Sequence, residues 1–230
     1  MKVENLSFAY SNKNIFKDLN ITFSDQKINA IIGPNGIGKS TLLDILGGLY
    51  PKAKTSLLDV PSHQQIAYKL QKTLFFSTVT VQQTLDMFQA LGGMKPTAVM
   101  KAIYDDVLQP LLKVKIGRLS GGERQIVLTY GTCLLNRKLY MFDEPTNGID
   151  PTNSELILKI ISSLTTEQQK QVILTMHQMD QLEKLDANIV LLADQHCIFE
   201  GNKQELLQQA GTDNLATAFT KLTQTKVNTK

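Results

Sequence analysis

Four short stretches of this 230-residue chain put reactive side chains where a turn meets a regular element. The first is GPNGIGKST, Gly33 to Thr41, which fits the spacing G-x-x-x-x-G-K-[ST] at Gly33, Gly38, Lys39 and Ser40. Glycines at those places let the backbone close round phosphate oxygens and turn successive N–H groups inward. A helix starting there adds the positive end of its dipole. Lys39 then supplies a point charge to the β- and γ-phosphates, and the Ser40 hydroxyl is a ligand for Mg2+. Pro34, Asn35, Gly36, Ile37 and Thr41 complete the loop. The second stretch, LYMFDEPT, is an apolar run ending in Asp143 and Glu144. Such a strand tip sets Asp143 near the metal, which prefers oxygen ligands and retains waters. It sets Glu144 where an attacking water can be oriented and deprotonated, help worth about 10²–10⁴-fold in rate. In the third, His177 follows the apolar VILTM and falls at a strand's C-terminal end, the edge where parallel sheets build their sites. It could donate a hydrogen bond to a γ-phosphate oxygen. His63 and His196 have no such context. The fourth stretch, GRLSGGERQ, opens a second helix with Ser120, Gly121 and Gly122, again offering N–H groups, a hydroxyl and a dipole to an anion. One such loop is enough to hold a nucleotide, so the second needs another explanation.

These groups need a sheet to carry them. VENLSFAY and LNITFS alternate like neighbouring antiparallel strands separated by the turn-rich SNKN. KINAIIG is a short apolar run ending at glycine, as for a strand buried on both faces, and STLLDILGGLY has helical spacing stopped at Gly47 and Gly48. From residue 73 to residue 117 the texture changes. TVQQTLDMFQALGG and KPTAVMKAIYDDVLQPLLKV read as amphipathic helices with no strand pattern between them. The alternation then returns: a helix after SGGERQ, strand KLYMFDE, helix NSELILKIISSL, strand QVILTMH, and a closing strand pair ANIVLLAD and HCIFEG. The expected fold is therefore α/β: a P-loop NTPase core with a mostly parallel sheet, an antiparallel β region at the N-terminus and an inserted all-helical lobe. Residues 1–72 and 118–230 form the nucleotide-binding core of a single domain on this reading, and residues 73–117 the lobe. The reactive groups alone specify only a P-loop nucleotide hydrolase, and GTPases, kinases, helicases and recombinases would fit as well.

Composition narrows the partners. A 42% hydrophobic, 20% charged chain is ordinary for a globular protein and long enough to bury a core without disulfides or metals. A formal net charge of +3 gives no reason to expect nucleic acid. The basic, polar tail from Lys221 to Lys230 reads as a frayed terminus. Cys133 and Cys197 each sit in an apolar run, with no CxxC and no Cys/His cluster, and read as two buried thiols. No signal-peptide core and no run of roughly eighteen apolar residues occurs, which points to the cytoplasm.

Taken together, these residues resemble the ATP-binding subunits of ABC transporters over nearly the whole chain. LSGGERQ is similar to that family's signature motif, with Leu119, Ser120, Gly121, Gly122 and Glu123 its core. DEPTNGID resembles the Walker B end and the D-loop closing on Asp150, and VILTMH the strand with the switch histidine His177. The resemblance implies that Tyr10 stacks on adenine and that Gln71 is the Q-loop glutamine, sensing the γ-phosphate and Mg2+ at the junction with the helical lobe. Asp143, Ser40 and Gln71 would then hold the Mg2+. Some stretches depart from the pattern: PKAKTSLLDVPSHQQ is shorter than the family's glycine-containing hairpin, the surroundings of Gln71 are atypical, the D-loop reads NGID, and HQMDQLEKL is a loose match.

In proteins similar to this one, two such domains pair head to tail, and each signature closes over the ATP held by the other. The second loop is thus half of a site. The resemblance implies ATP and Mg2+ as cofactors and ATP hydrolysis as the reaction. It implies as partners a second ABC ATPase subunit, identical or not, and a membrane permease on a separate chain, reached from the inner face of the cell membrane. The C-terminal FEGNKQELLQQAGTDNLATAFTKLT is similar to the ends of ATPases serving ABC-2-type exporters, and no appended regulatory domain of the kind many import ATPases carry is seen, so export is the expected direction. The alternative is a soluble ABC ATPase acting as an assembly factor, as in iron–sulfur cluster biogenesis. Chromosome or repair ATPases insert long coiled coils or zinc motifs, and translation factors of the family carry two such domains, features this chain does not show.

Overall fold

A computed structural model describes residues 1–11 and 13–224. Of the basic tail expected to fray, Lys221–Gln224 belong to the last helix, and residues 225–230 lie outside the described residues. In chain order the strands and helices are β1 (Lys2–Tyr10), β2 (Lys13–Thr22), β3 (Ile28–Ile32), α1 (Lys39–Leu46), β4 (Leu57–Leu58), β5 (Ile66–Lys69), α2 (Val81–Ala90) and α3 (Ala98–Ile103). They continue with α4 (Gly121–Leu134), β6 (Leu139–Phe142), α5 (Pro151–Thr166), β7 (Gln171–Thr175), α6 (Met179–Leu182), β8 (Ala187–Ala193), β9 (His196–Gly201), α7 (Lys203–Ala210) and α8 (Leu215–Gln224). The fold is α/β, with a mostly parallel sheet, an antiparallel N-terminal sheet and helices. Two compact units make it up: Met1–His63 together with the chain from Ile173 on, and Gln64–Val172.

In the first unit, β1 lies between β2 and β4 in an antiparallel sheet. Tyr10 faces Lys13, so β2 begins six residues before the LNITFS run, and Lys13 and Asn14 belong to the strand rather than to the turn. Val3, Leu6, Ile15, Phe16, Leu19 and Ile21 bury the inner face. β3 pairs in parallel with β8, which pairs antiparallel with β9 across the two-residue turn Asp194–Gln195, both at positive φ. All five β3 residues are buried, including Asn29. That amide is satisfied: its oxygen accepts from Ser24 N (2.8 Å) and Asn188 Nδ2 (3.1 Å), and its nitrogen donates to Ser24 O (2.9 Å).

In the second unit β5 and β6 pair in parallel, Ile66 with Leu139 through Lys69 with Phe142. β6 is buried at every residue. α2 starts on a capping box, Thr80 accepting from Gln83 N while the Gln83 side chain accepts from Thr80 N. The second amphipathic stretch is not one helix. α3 gives way after Ile103 to a π-turn over Tyr104–Leu108 and a 3-10 turn over Gln109–Leu111. Pro110 has no N–H to continue an α-helical ladder, which favours the change of pitch there.

Candidate active site

Each compact unit carries its own share of the reactive groups. In the first, β3 delivers the chain to Gly33 and the phosphate loop. A Cβ at Gly33 would stand 2.6 Å from the Leu192 carbonyl oxygen, and one at Gly38 would stand 2.5 Å from Ile15 and 2.8 Å from Phe16. The loop is pressed against the strands behind it, and only glycine fits. Gly36 and Gly38 also hold φ at +75° and +112°, where a side chain is strained. On the outer side a Cβ at Gly36 would meet nothing within 4 Å, so that face is open to a ligand. α1 begins at Lys39 with Gly38 as its N-cap, no side chain capping it and no acid in its first turn. Its leading N–H groups and dipole are therefore offered to an anion without a carboxylate competing. Lys39, 6% exposed, folds back so that Nζ donates to the carbonyls of Gly33 (2.9 Å) and Pro34 (3.3 Å). A cation parked over its own loop fits a phosphate group.

Tyr10 ends β1 near this loop, its hydroxyl 2.8 Å from that of Tyr50 and 3.4 Å from Thr41 Oγ1. Tyr10, Phe8 and Tyr50 meet edge to face, with centroids 4.8–5.8 Å apart. The hydrogen bond with Tyr10, followed by burial, pushes the Tyr50 phenol up to about 12. Phe8 and Tyr50 belong to no motif; Phe8 shares a face of β1 with Tyr10 two residues on, and the glycine stop after α1 brings Tyr50. Met176 N donates to Ile31 O (3.1 Å), so the end of β7 lies beside the end of β3 and His177 emerges at the same edge as Gly33. His63, as its context suggested, is structural: Nδ1 donates to Gly47 O (3.0 Å) at the end of α1, and the ring occupies the space a Cβ on Gly48 would need.

The second unit holds the carboxylates. Asp143 N donates to Lys69 O (3.0 Å), extending the β5–β6 pairing one step past the strands. Gln71 lies two residues beyond Lys69 and Glu144 two beyond Phe142, so parallel register alone brings them side by side. Gln71 Nε2 donates to Glu144 Oε2 at 2.8 Å, and Asn147 Nδ2 donates to the same oxygen at 2.7 Å. Asn147 is a contributor that motif reading passed over, although it stands within DEPTNGID. Glu144 adopts φ +44°, a left-handed conformation costing a non-glycine residue about 1–3 kcal/mol. Backbone strain and two convergent amides fix one carboxylate oxygen just after the buried Asp143.

The second turn is built differently from the first. Ser120 caps α4: its hydroxyl accepts from Glu123 N (3.2 Å), and Glu123 Oε2 accepts from Ser120 N (2.8 Å). Glu123 thus serves the helix start. Gly121 is open, with nothing within 4 Å of a Cβ, while Gly122 packs on Asn153. Leu119 is buried beneath the turn. Asp150 caps α5, accepting from Asn153 N (3.0 Å) and Asn153 Nδ2 (2.6 Å), and these bonds hold its carboxyl below the usual range. Among the described residues no three His, Cys, Asp or Glu side chains gather as a metal site. Each unit carries oxygen donors of the kind Mg2+ prefers: a hydroxyl at Ser40 in the first, an amide oxygen at Gln71 and a carboxylate at Asp143 in the second.

Comparison with known proteins follows the same lines. Residues 16–147 match the ABC transporter family. The chain is 31% identical over 233 residues to the molybdate import ATP-binding protein MolC of Haemophilus influenzae, covering 95% of this chain and 87% of that one. It is 31% identical to the zinc import ATP-binding protein ZnuC of Yersinia pestis, over 85% and 76% of the two chains. Among solved structures, the ATP-binding subunit of an ABC transporter superposes with a TM-score of 0.77 over 97% of this chain and 99% of its own, at 22% identity, which establishes the fold. cbiO1 from Clostridium perfringens, part of the ABC transporter complex cbiONQ, superposes with a TM-score of 0.69 at 25% identity, over 90% of each chain.

Proposed function

We propose a function on one premise, that this chain belongs to the ABC transporter family as an ATP-binding subunit. It binds ATP and is an ATPase, and its working partner is a membrane permease. No described helix is long and apolar enough to cross a membrane, in keeping with a permease on a separate chain and a place at the inner face of the cell membrane. Beyond that, ATP sits on Gly33–Thr41 with Lys39 on its β- and γ-phosphates and Tyr10 against adenine. Ser40, Asp143 and Gln71 hold Mg2+. Glu144 takes the proton of the attacking water and His177 donates to the γ-phosphate. Residues 73–117 are the helical subdomain. Ser120, Gly121 and Gly122 act on the nucleotide of a second subunit, with Asp150 at the D-loop between them, so ATP draws two chains together and hydrolysis releases them.

The observation that carries this reading is the Glu144 carboxylate, buckled into a left-handed backbone and held at one oxygen by Gln71 and Asn147. Glu144→Gln keeps the shape and removes the base. The variant is expected to bind ATP, to hydrolyse it about 10²–10⁴-fold more slowly, and to accumulate as a dimer in size-exclusion chromatography with ATP. Wild-type turnover together with a monomer in ATP would overturn both the base and the closure.

The direction of transport is import. The expectation of export rested on the C-terminal pattern and on the lack of an appended regulatory domain, and the import relatives overturn it. In the structure that pattern is an amphipathic helix, α8, burying Leu215 and Ala218. It reports packing rather than direction, and the molybdate and zinc relatives are both named for import.

A further inference from the structure

Among the described residues two lysines are buried, and the phosphate loop accounts for only one of them. The other, Lys69, closes β5 with 3% of its surface exposed. Taking an ammonium out of water costs several kcal/mol, and a partner returns only part of it, so an apolar side chain would serve stability better here. The position is otherwise that of an ordinary inward strand residue, alternating with the half-exposed Ile66 and Tyr68. Lys69 Nζ donates to Gln125 Oε1 at 2.6 Å, a short charge-assisted bond. Gln125 stands in the second turn of α4, the helix that Ser120 caps. The main chain of the same lysine accepts from Asp143 N (3.0 Å), and two residues on Gln71 donates to Glu144 (2.8 Å). One residue therefore touches the helix carrying the signature turn and the strand ends carrying both carboxylates.

We propose that Lys69 is a positioning residue: by holding Gln125 it fixes the axial setting of α4, and so the placement of Ser120–Gly122, against the Gln71–Glu144 pair of its own chain. On the reading above, those two groups belong to different composite sites of a dimer, so the Lys69–Gln125 bond joins one site's signature to the other site's base. Cys133, two turns along α4, does not compensate the charge. Burial pushes its thiol up, well out of the physiological range, and it stays neutral.

The full chain tests this through Lys69→Met, Gln125→Leu and the pair together. Each single variant is expected to bind a fluorescent ATP analogue within about twofold of wild type, because the phosphate loop is untouched, yet to lose about tenfold or more in kcat. The double variant is expected to lose no more than the worse single, since one bond is broken either way. In the Glu144→Gln background, Lys69→Met is expected to raise the ATP concentration needed for dimerisation by a similar factor. Lys69→Arg, which keeps a donor, should recover part of the loss. Wild-type kcat in both single variants, or losses that multiply in the double, would overturn the proposal. If Lys69→Met does not fold, the same decision falls to Gln125→Leu against Gln125→Asn, which also loses the reach of the side chain. Failure of the parent reading is separable: Glu144→Gln would then hydrolyse ATP at the wild-type rate, whatever stands at position 69.

Discussion

A buried cation announces itself in the pH dependence of stability. Burial lowers the Lys69 ammonium from 10.5 to about 8, against the pull of Asp143. Below about pH 8 the lysine is protonated folded and unfolded, and the penalty is constant. Between about 8 and 10.5 the unfolded chain keeps the proton that the folded chain has lost. Because the unfolded state binds more protons there, stability contributed by this site rises with pH, by roughly 3 kcal/mol across the window. Urea unfolding of wild type and Lys69→Met at about pH 7 and about pH 10 isolates the effect. The methionine variant is expected to be the more stable near pH 7 and to lose that advantage at the alkaline end. A constant difference would mean the ammonium is solvated. A side chain that costs stability and supports turnover is the combination expected of a positioning group. None of this was legible in the sequence, where Lys69 is one lysine among many. The roles proposed for Lys39, Ser40, Asp143 and Glu144 could be read there, because each rests on a motif of neighbouring residues. Lys69 takes its role from Gln125, fifty-six residues away, and Tyr50 its shifted phenol from Tyr10. Only the packing of helices and the segments that follow them against the strands brings such partners together.

The two helices proposed to face phosphate, α1 and α4, differ at their first turns, and the difference separates their variants. Gly38 opens α1 at φ +112° with Ile15 and Phe16 behind it. Gly38→Ala adds both strain and a clash, so it is expected to lower the melting temperature and to weaken nucleotide binding by the single chain together. Ser120→Ala removes only the acceptor for Glu123 N, a loss of about 1 kcal/mol. Its melting temperature should fall modestly while nucleotide binding by the single chain is unchanged. Calorimetry and a nucleotide titration on the two proteins decide the point, and a binding loss at Ser120 would mean that α4 serves its own chain's ligand. These helices, with α5 and the apolar strands, were readable because periodicity and caps extend over many residues. Among the elements that were obscured, three show why. β4 is two residues long, too short for a period, and β2 starts among the polar residues of SNKN. The stretch after α3 keeps a helical texture while its hydrogen bonding passes to π and 3-10 turns, a change composition cannot display.

For the molecule as a whole, the question left by the second loop is whether it completes a site within one chain or across two, and complementation answers it. Lys39→Ala removes the phosphate-loop cation, and Ser120→Phe blocks the turn at α4; on either arrangement each variant alone is inactive. If both loops served one chain's nucleotide, every chain in a mixture would carry a broken site, and mixing would restore nothing. In a head-to-tail pair the outcome differs, because each site takes its phosphate loop from one chain and its signature from the other. A pair formed from one chain of each kind places both defects in one site and leaves the other site intact. Random pairing of equal amounts makes such pairs about half of the total, with one good site in each, so about a quarter of all sites recover. The mixture is expected to hydrolyse ATP at up to about that fraction of the wild-type rate, and at less if the two sites must fire together. Raising the share of either variant should lower the rate, giving a maximum at equal amounts that activity from contaminating wild type would not reproduce. A mixture as inactive as its components, with heterodimers demonstrated in ATP, would return the signature turn to its own chain and remove the composite site.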